Sequence, residues 1–160
     1  MTRTLDRRTF ASGAALVCAG GLSLLTATPA RAARRIRFHA RATPDANRLK
    51  DGRPAAINIF LCALRGEAAF LSASFDTHYR SIVGGPGGEA VEGEILMRER
   101  IRVPPASYAI VELDIPEDAE RLGVIAPFRL LKGTKWRDTR SMVRRGEVNI
   151  ALDKGEVKFL

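Results

Sequence analysis

The spacing of apolar and polar residues along the chain predicts a protein built mainly of β-strands. Residues 35–41 alternate with a period of two, so that Ile36, Phe38 and Ala40 would face a core while the arginines and the histidine between them face water. Residues 56–64 are nearly all apolar, which is typical of a strand buried on both faces. Five further segments have strand character: 94–103, 108–115, 122–131, 147–152 and 156–160.

Two segments interrupt this series of strands. Residues 43–54 combine Pro44, Gly52 and several Asp and Asn residues, a composition that predicts an exposed loop. In residues 66–79 the apolar positions change to helical spacing, which predicts one or two short helical turns. Seven strands, one helical insertion and no regular alternation of strands with helices predict an all-β fold, a two-sheet β-sandwich.

The first 32 residues have the pattern of a cleaved export signal. Arg7-Arg8 precedes the uncharged, weakly apolar residues 11–27, and residues 29–32 form a small-x-small cleavage site. The Arg-Arg-x-Phe start is similar to a twin-arginine signal. A membrane anchor is the alternative, but the apolar run is shorter than the roughly 20 residues that a spanning helix needs. We therefore expect a cleaved signal over residues 1–32 and one domain over residues 33–160.

The net charge first suggests an anionic partner, and the export signal weakens that suggestion. The chain carries 26 Lys and Arg against 18 Asp and Glu, a net charge of +8. Residues 1–32 contain four arginines and one aspartate, so residues 33–160 keep 22 basic and 17 acidic side chains, a net charge of +5. Tyr108 and Trp136, which could stack on bases, are expected in the core. The sequence therefore predicts no nucleic-acid partner, and a weak attraction to anionic lipid headgroups remains as an alternative.

Side chains that could carry chemistry are few and scattered. Cys62 lies in an apolar strand and is interpreted as a small buried hydrophobe rather than a nucleophile. His39 shares a strand face with arginines, and His78 is placed to cap the helical insertion; neither has metal-ligand spacing. Glu112 and Asp114 share one face of a strand, an arrangement that a hydrolase could use. We predict no catalytic residue, no cofactor, no metal and no small-molecule substrate.

Three blocks of residues, taken in order, resemble one known family. The first is Asn47 with Asp51-Gly52-Arg53-Pro54, which lead into the apolar strand. The second is Ala69-Phe70, Ala73-Ser74-Phe75 and Tyr79, and the third is residues 122–129 followed by Lys135-Trp136-Arg137. Their order and spacing, over nearly the whole of residues 33–160, resemble the type VI secretion lipoprotein family TssJ, also called VasD or SciN.

The resemblance implies a fold, a role and a partner. It implies a transthyretin-like β-sandwich with a small helical addition, acting as a structural, non-catalytic subunit of the type VI secretion membrane complex. Members of the family bind the periplasmic C-terminal domain of TssM through the loop between the first two strands, which corresponds here to residues 43–54. Leu49 would be the apolar anchor of that contact, and the basic residues of the loop would supply complementary charge. The expected partner-binding residues are Asn47, Arg48, Leu49, Lys50, Asp51, Gly52 and Arg53.

The resemblance is weakest at the lipid anchor. Family members are acylated and sit on the inner leaflet of the outer membrane, whereas Cys18, the only cysteine in the signal, follows Val17 and is a poor acylation site. We therefore predict a non-lipidated periplasmic protein, with association with the outer membrane as the alternative. Two other functions stay open: a periplasmic transthyretin-like carrier or peptide-binding module, and an exported hydrolase that uses Glu112 and Asp114.

Overall fold

Residues 33–85, 87–143 and 146–160 are those that the computed structural model of the protein describes. They form eight strands and three short helices, in the order β1 (Ala33–Ala42), β2 (Ile57–Leu64), α1 (Ala68–Ser72), α2 (Phe75–Val83), α3 (Glu89–Glu92), β3 (Ile95–Val103), β4 (Ser107–Pro116), β5 (Arg121–Ile125), β6 (Arg137–Ser141), β7 (Gly146–Asp153) and β8 (Glu156–Phe159). The predicted export signal, residues 1–32, lies outside the described residues, as do Pro86, Arg144 and Arg145.

Two four-stranded sheets form a β-sandwich, which confirms the predicted fold class. The first sheet has the strand order β4-β1-β7-β8 and the second has the order β3-β2-β5-β6. All neighbours are antiparallel except β1 and β7, which run parallel. The three helices form the predicted helical insertion between β2 and β3, although α3 was not expected.

The core lies between the sheets and is built from alternate residues of each strand. On β1 the buried side chains are Ile36, Phe38, Ala40 and Ala42, as the period of two predicts. Their counterparts on β7 are Val148, Ile150 and Leu152, and those on β2 are Ile57, Ile59, Leu61 and Ala63. Each sheet therefore contributes one apolar face to the core, as in other aligned sandwiches.

Two strand predictions are wrong. The strand expected over residues 122–131 ends at Ile125, because Pro127 has no N–H to donate and the chain turns away; Leu130 is 57% exposed. The strand β6, with sequence Arg-Asp-Thr-Arg-Ser, was not expected at all. It is a short edge strand whose side chains are only partly buried, so it carries no apolar alternation that the sequence could reveal.

The strand β2 is buried on both faces because the helical insertion covers part of the outer face of the second sheet. Cys62 and Leu64 point away from the sandwich core and pack with Phe70 and Ile125 in a second, smaller core. The interpretation of Cys62 as a buried hydrophobe is confirmed. Burial raises the pKa of its thiol to about 12, so the reactive thiolate is strongly disfavoured.

The helix α1 has only five residues, and charged side chains satisfy both of its ends. The N–H groups of Ala69 and Phe70 donate to the carboxylate oxygens of Glu94 at 3.0 and 2.9 Å. The Arg137 guanidinium on β6 donates to the carbonyl oxygen of Phe70 at 2.9 Å and to those of two residues that follow it. Because the terminal N–H and C=O groups of a helix lack partners within the helix, these contacts satisfy groups that would otherwise be left without a partner.

Two further arginines tie the insertion to the same face of the sheet. Arg121 on β5 pairs with Glu67, the residue before α1. Arg98 on β3 donates to the hydroxyl and carbonyl oxygens of Ser81 at 2.6 and 3.2 Å and lies 3.3 Å from the Glu92 carboxylate. We refer to Arg98, Arg121 and Arg137 as the arginine clamp.

The sequence suggested that His78 caps the helical insertion, but His78 lies inside it. Its ring is fully buried, with centroids 4.7 Å from Phe70 and 5.4 Å from Trp136. Burial lowers its pKa, so the imidazole is neutral and Nε2 donates to the carbonyl oxygen of Phe70 at 2.8 Å. The cap residues of α2 are instead Ser74, which accepts from the Thr77 N–H, and a left-handed glycine at position 84.

A glycine on β5 makes room for the Phe70 ring. A Cβ added to Gly123 would lie 2.8 Å from Cζ of Phe70 and 3.0 Å from Cδ1 of Leu64. Both side chains are fully buried and have no space to retreat. We predict that Gly123→Ala lowers the free energy of unfolding by about 1–3 kcal/mol through overpacking, as measured by urea denaturation.

Gly93 provides the matched control. Its backbone is helical, with φ −63°, and nothing lies within 4 Å of an added Cβ. Gly93→Ala should leave the stability unchanged or raise it slightly. Equal losses from both substitutions would contradict the role given to Gly123.

Candidate functional site

Two loops meet at one end of the sandwich, and the predicted docking segment is one of them. The β1–β2 loop, residues 43–56, follows Ala42, and the β5–β6 loop, residues 126–136, packs beside it. Ala33 lies at the opposite end, since it pairs with Pro116 while Ala42 pairs with Ser107. We call the exposed side chains of the two loops, together with Lys154 in the β7–β8 turn, the loop-end surface.

The tip of the β1–β2 loop is a compact turn. The N–H of Leu49 donates to the carbonyl oxygen of Arg53 at 2.9 Å, and the N–H of Gly52 donates to that of Leu49 at 2.9 Å. Gly52 has φ +82°, a left-handed conformation that glycine adopts without strain. A bridge between Arg48 and Pro54 closes the turn, so the predicted partner-binding residues are held in a defined shape.

Asn47 is buried, which corrects the expectation that the whole segment 43–54 is exposed. Its side chain is 5% exposed, and the neighbouring Ala46 is 3% exposed. The Asn47 amide donates to the carbonyl oxygen of Ala56 at 3.0 Å and accepts from the N–H of Arg129 at 3.0 Å. Asn47 therefore joins the two loops from within rather than offering its side chain to a partner.

The charged residues at the tip are mostly paired with one another. Arg48 bonds to Asp45 and donates to the carbonyl oxygen of Gly52 at 2.7 Å. Arg53 lies 2.7 Å from the carboxylate of Asp51. Of the basic tip residues in the predicted set, only Lys50 has no side-chain partner within the described part of the chain.

The β5–β6 loop supplies functional candidates that the sequence analysis missed. Leu130 and Leu131 are 57% and 37% exposed and lie in this loop, although the sequence predicted a strand over residues 122–131. Leu49, which is half-buried, and the exposed Leu130 line the same groove of about 530 Å³. The signals available in the sequence were Pro127 and Gly133, which together are typical of a loop.

Unpaired cations surround these leucines. Arg129, Lys132 and Lys154 are exposed, and like Lys50 they have no side-chain partner among the described residues. The nearby carboxylates of Asp45 and Asp51 already bind arginines of the tip. The loop-end surface is thus an apolar centre within a basic border.

The other candidate residues do not form a catalytic site in the described structure. Glu112 bonds to Arg37, and Asp114 lies 3.1 Å from Arg35, so both carboxylates are in ion pairs on the open face of the first sheet. His39 lies on the same face, 3.4 Å from Glu147. Within residues 33–85, 87–143 and 146–160, no three His, Cys, Asp or Glu side chains are grouped to hold a metal ion.

The two aromatic residues expected in the core differ in their outcome. Trp136 packs against Phe75, with ring centroids 5.1 Å apart, and the Arg137 guanidinium lies 4.5 Å from its ring. Tyr108 is 68% exposed on the outer face of β4, so its assignment to the core is wrong.

In the part of the chain that the structure covers, no helix is long and apolar enough to cross a membrane.

Comparison with known proteins gives one family. The family model described as type VI secretion lipoprotein, VasD, EvfM, TssJ, VC_A0113 matches residues 34–155. No curated protein matches the sequence. Among solved structures, the T6SS lipoprotein TssJ1 from Pseudomonas aeruginosa is similar with a TM-score of 0.70 and 19% identity, covering 80% of this chain and 95% of that chain.

Two more structures have similar folds. Serratia marcescens Lip, a membrane bound component of the type VI secretion system, gives a TM-score of 0.69 at 19% identity, covering 79% of this chain and 96% of that chain. A chain from the structure of the T6SS protein TssM C-terminal domain from EAEC gives 0.63 at 18% identity, with 79% and 98% covered. At these identities the likeness shows the fold alone.

The contacts of Asn47 generate a stability prediction. Asn47→Ala would leave the Ala56 carbonyl and the Arg129 N–H without their partner in a buried position, at a cost of about 1–3 kcal/mol. We expect a loss of that size in urea denaturation. Asn58→Ala, at an exposed position on β2, is the control and should change the stability by less than about 0.5 kcal/mol. A neutral Asn47→Ala would show that the two loops are not joined through this side chain.

Proposed function

The chain belongs to the type VI secretion lipoprotein family, and from this premise we propose that it is a structural subunit of a type VI secretion membrane complex. Its loop-end surface binds the periplasmic C-terminal domain of TssM. Family membership supports the first statement. The second is supported by the geometry of the two loops and by the docking role that the family resemblance implies for residues 43–54.

The loop-end surface has the features of a protein contact site. Leu130 and Leu131 are exposed at a place where the loop is anchored, and exposed apolar side chains on an ordered base mark interaction sites more often than chance. The Asn47 side chain bonds to Ala56 within its own loop and to Arg129 in the other loop, so the surface is ordered before binding and less conformational entropy remains to be lost. The ordering of the two loops through Asn47 is the observation on which the proposal chiefly depends.

The charge of the loop-end surface indicates which side chains the contact surface of the partner would carry. Lys50, Arg129, Lys132 and Lys154 have no side-chain partners among the described residues, so a complementary patch would carry Asp or Glu around an apolar centre. Leu49 remains the proposed anchor at the tip, now with Leu130 beside it in one groove. The exposed residues from Arg48 to Arg53 contact the partner, while Asn47 holds the loop in shape.

A catalytic role has no support in the site. Glu112 and Asp114 lie on an open strand face, each bound to an arginine, rather than in a cleft that could exclude water from a substrate. We therefore assign the protein a structural role within the complex.

The binding proposal is tested with the purified protein and the TssM periplasmic C-terminal domain of the same organism. We expect a dissociation constant of tens of micromolar or tighter in isothermal titration calorimetry. Leu130→Ser should weaken binding about tenfold or more, because a central apolar contact is lost. Leu71→Ser is the matched control, an exposed leucine on α1, and should bind like the wild type. Absence of binding, or equal weakening by both variants, would contradict the proposal.

We propose further that the protein is exported and works in the periplasm, with signal cleavage after Ala32. The first described residue of the sandwich is Ala33, which lies at the end opposite to the loop-end surface. The intact mass of the protein isolated from the cell envelope should correspond to an unmodified chain that starts at Ala33. A mass that corresponds to a chain acylated at Cys18 would instead place it on a membrane through a lipid.

A further inference from the structure

The helical insertion covers only part of the outer face of the second sheet. The covered part contains Cys62 and Gly123, which face Phe70. The uncovered part lies toward the start of β2, where Asn58 pairs with Arg102 and Phe60 pairs with Arg100. An unused, strongly basic area of sheet therefore remains next to the insertion.

The arginines of this face fall into two groups. The arginine clamp is engaged, since each of its members binds backbone or carboxylate groups of the insertion. Arg100 and Arg102 are exposed, and no side-chain partner for either exists among the described residues. They project from the same face of β3 two residues apart, so their Cα atoms are separated by about 6.6 Å. Two unpaired guanidinium groups at this spacing match two carboxylates on an extended chain.

A groove continues from these arginines along the insertion. It has a volume of about 530 Å³ and lies between β3 and α2. Its exposed apolar side chains are Tyr79 and Val83, which are 51% and 58% exposed. The residues that line it are Asn58, Phe60, Tyr79, Ile82, Val83, Arg98, Arg100 and Pro127. None of these lining residues is acidic, so the groove joins apolar walls to the unpaired charge of Arg100, whereas Arg98 is held by Glu92.

We propose that this groove and Arg100 and Arg102 form a second interaction surface, which binds an acidic, extended segment of a partner protein. Two carboxylates at positions i and i+2 of the segment pair with Arg102 and Arg100. An apolar side chain at i+4, on the same face of the extended segment, enters the groove beside Val83. The surface is separate from the predicted docking loop, because no residue of 43–54 takes part in it.

An extended acidic segment fits these observations better than an anionic membrane. The apolar component here is a groove beside α2, which accepts a single side chain, whereas a bilayer needs apolar groups that project from the surface. Arg102 also lies near the end of the sandwich where β2 begins, opposite to Ala33.

The test uses a fluorescein-labelled peptide, Gly-Glu-Ser-Glu-Ser-Leu-Gly, and fluorescence anisotropy with the purified protein at low ionic strength. The wild type should bind it, and replacing both Glu by Lys or the Leu by Ser in the peptide should weaken binding. Arg100→Glu/Arg102→Glu should weaken binding about tenfold or more, because two charge pairs are lost and repulsion replaces them. Both side chains are exposed and make no side-chain contact with the described part of the chain, so the variant should keep the wild-type melting temperature.

Arg41→Glu/Lys158→Glu is the matched control. It makes the same change in net charge on the outer face of the first sheet, where both residues are exposed and without side-chain partners among the described residues. This control should bind the peptide as the wild type does. Equal weakening by the two double variants, or no peptide binding at millimolar protein, would overturn the proposal. The proposal would also be overturned if the wild type bound vesicles of 30% phosphatidylglycerol in phosphatidylcholine instead of the peptide, and the Arg100→Glu/Arg102→Glu variant did not bind these vesicles.

Discussion

Phe70 packs against a glycine of the second sheet, while Arg137 and Glu94 satisfy the two ends of the short helix that carries it. Helices of four to nine residues are not stable by themselves in water, so α1, α2 and α3 exist because this contact and the arginine clamp hold them on the sheet. Their presence in turn buries the outer side of β2, which is why that strand can be apolar on both faces. The guanidinium groups involved lie against backbone carbonyls and carboxylates, which are the acceptors of charge-assisted hydrogen bonds.

The two proposed interaction surfaces depend on different parts of the structure. The loop-end surface relies on a hydrogen bond between two loops that are far apart in sequence, in which the Asn47 side chain accepts from the N–H of Arg129. The groove beside Arg100 depends on where the insertion ends, because α2 forms one of its walls. Both combine apolar side chains with cations that have no partner within the described chain. A protein that assembles with others can use such features, since they cost little in the monomer and gain energy only on association.

The parts of this fold that follow local periodicity could be predicted from the sequence, and the parts that depend on distant contacts could not. The strands β1, β4 and β7 alternate regularly, and their bounds were predicted within about two residues. The strand β6 is polar and packs at an edge, so nothing in its own sequence identifies it. Asn47 was expected at the surface because its neighbours are turn-forming residues; its bonding partner, Arg129, lies 82 positions away. Leu130 was placed in a strand because the apolar alternation of β5 continues in the sequence beyond Ile125, where the strand ends.

The strand β1 has a mechanical consequence. It is a central strand, hydrogen-bonded to β4 on one side and β7 on the other, and it runs about 30 Å from Ala33 to Ala42. Its first residue is the point of attachment for anything that precedes the sandwich, and its last leads directly into the loop at the opposite end. Tension between those two points would act along the strand and load its two hydrogen-bond ladders together, in shear, instead of opening them one bond at a time. A subunit pulled between Ala33 and its loops would therefore resist extension through both hydrogen-bond ladders of β1 at once.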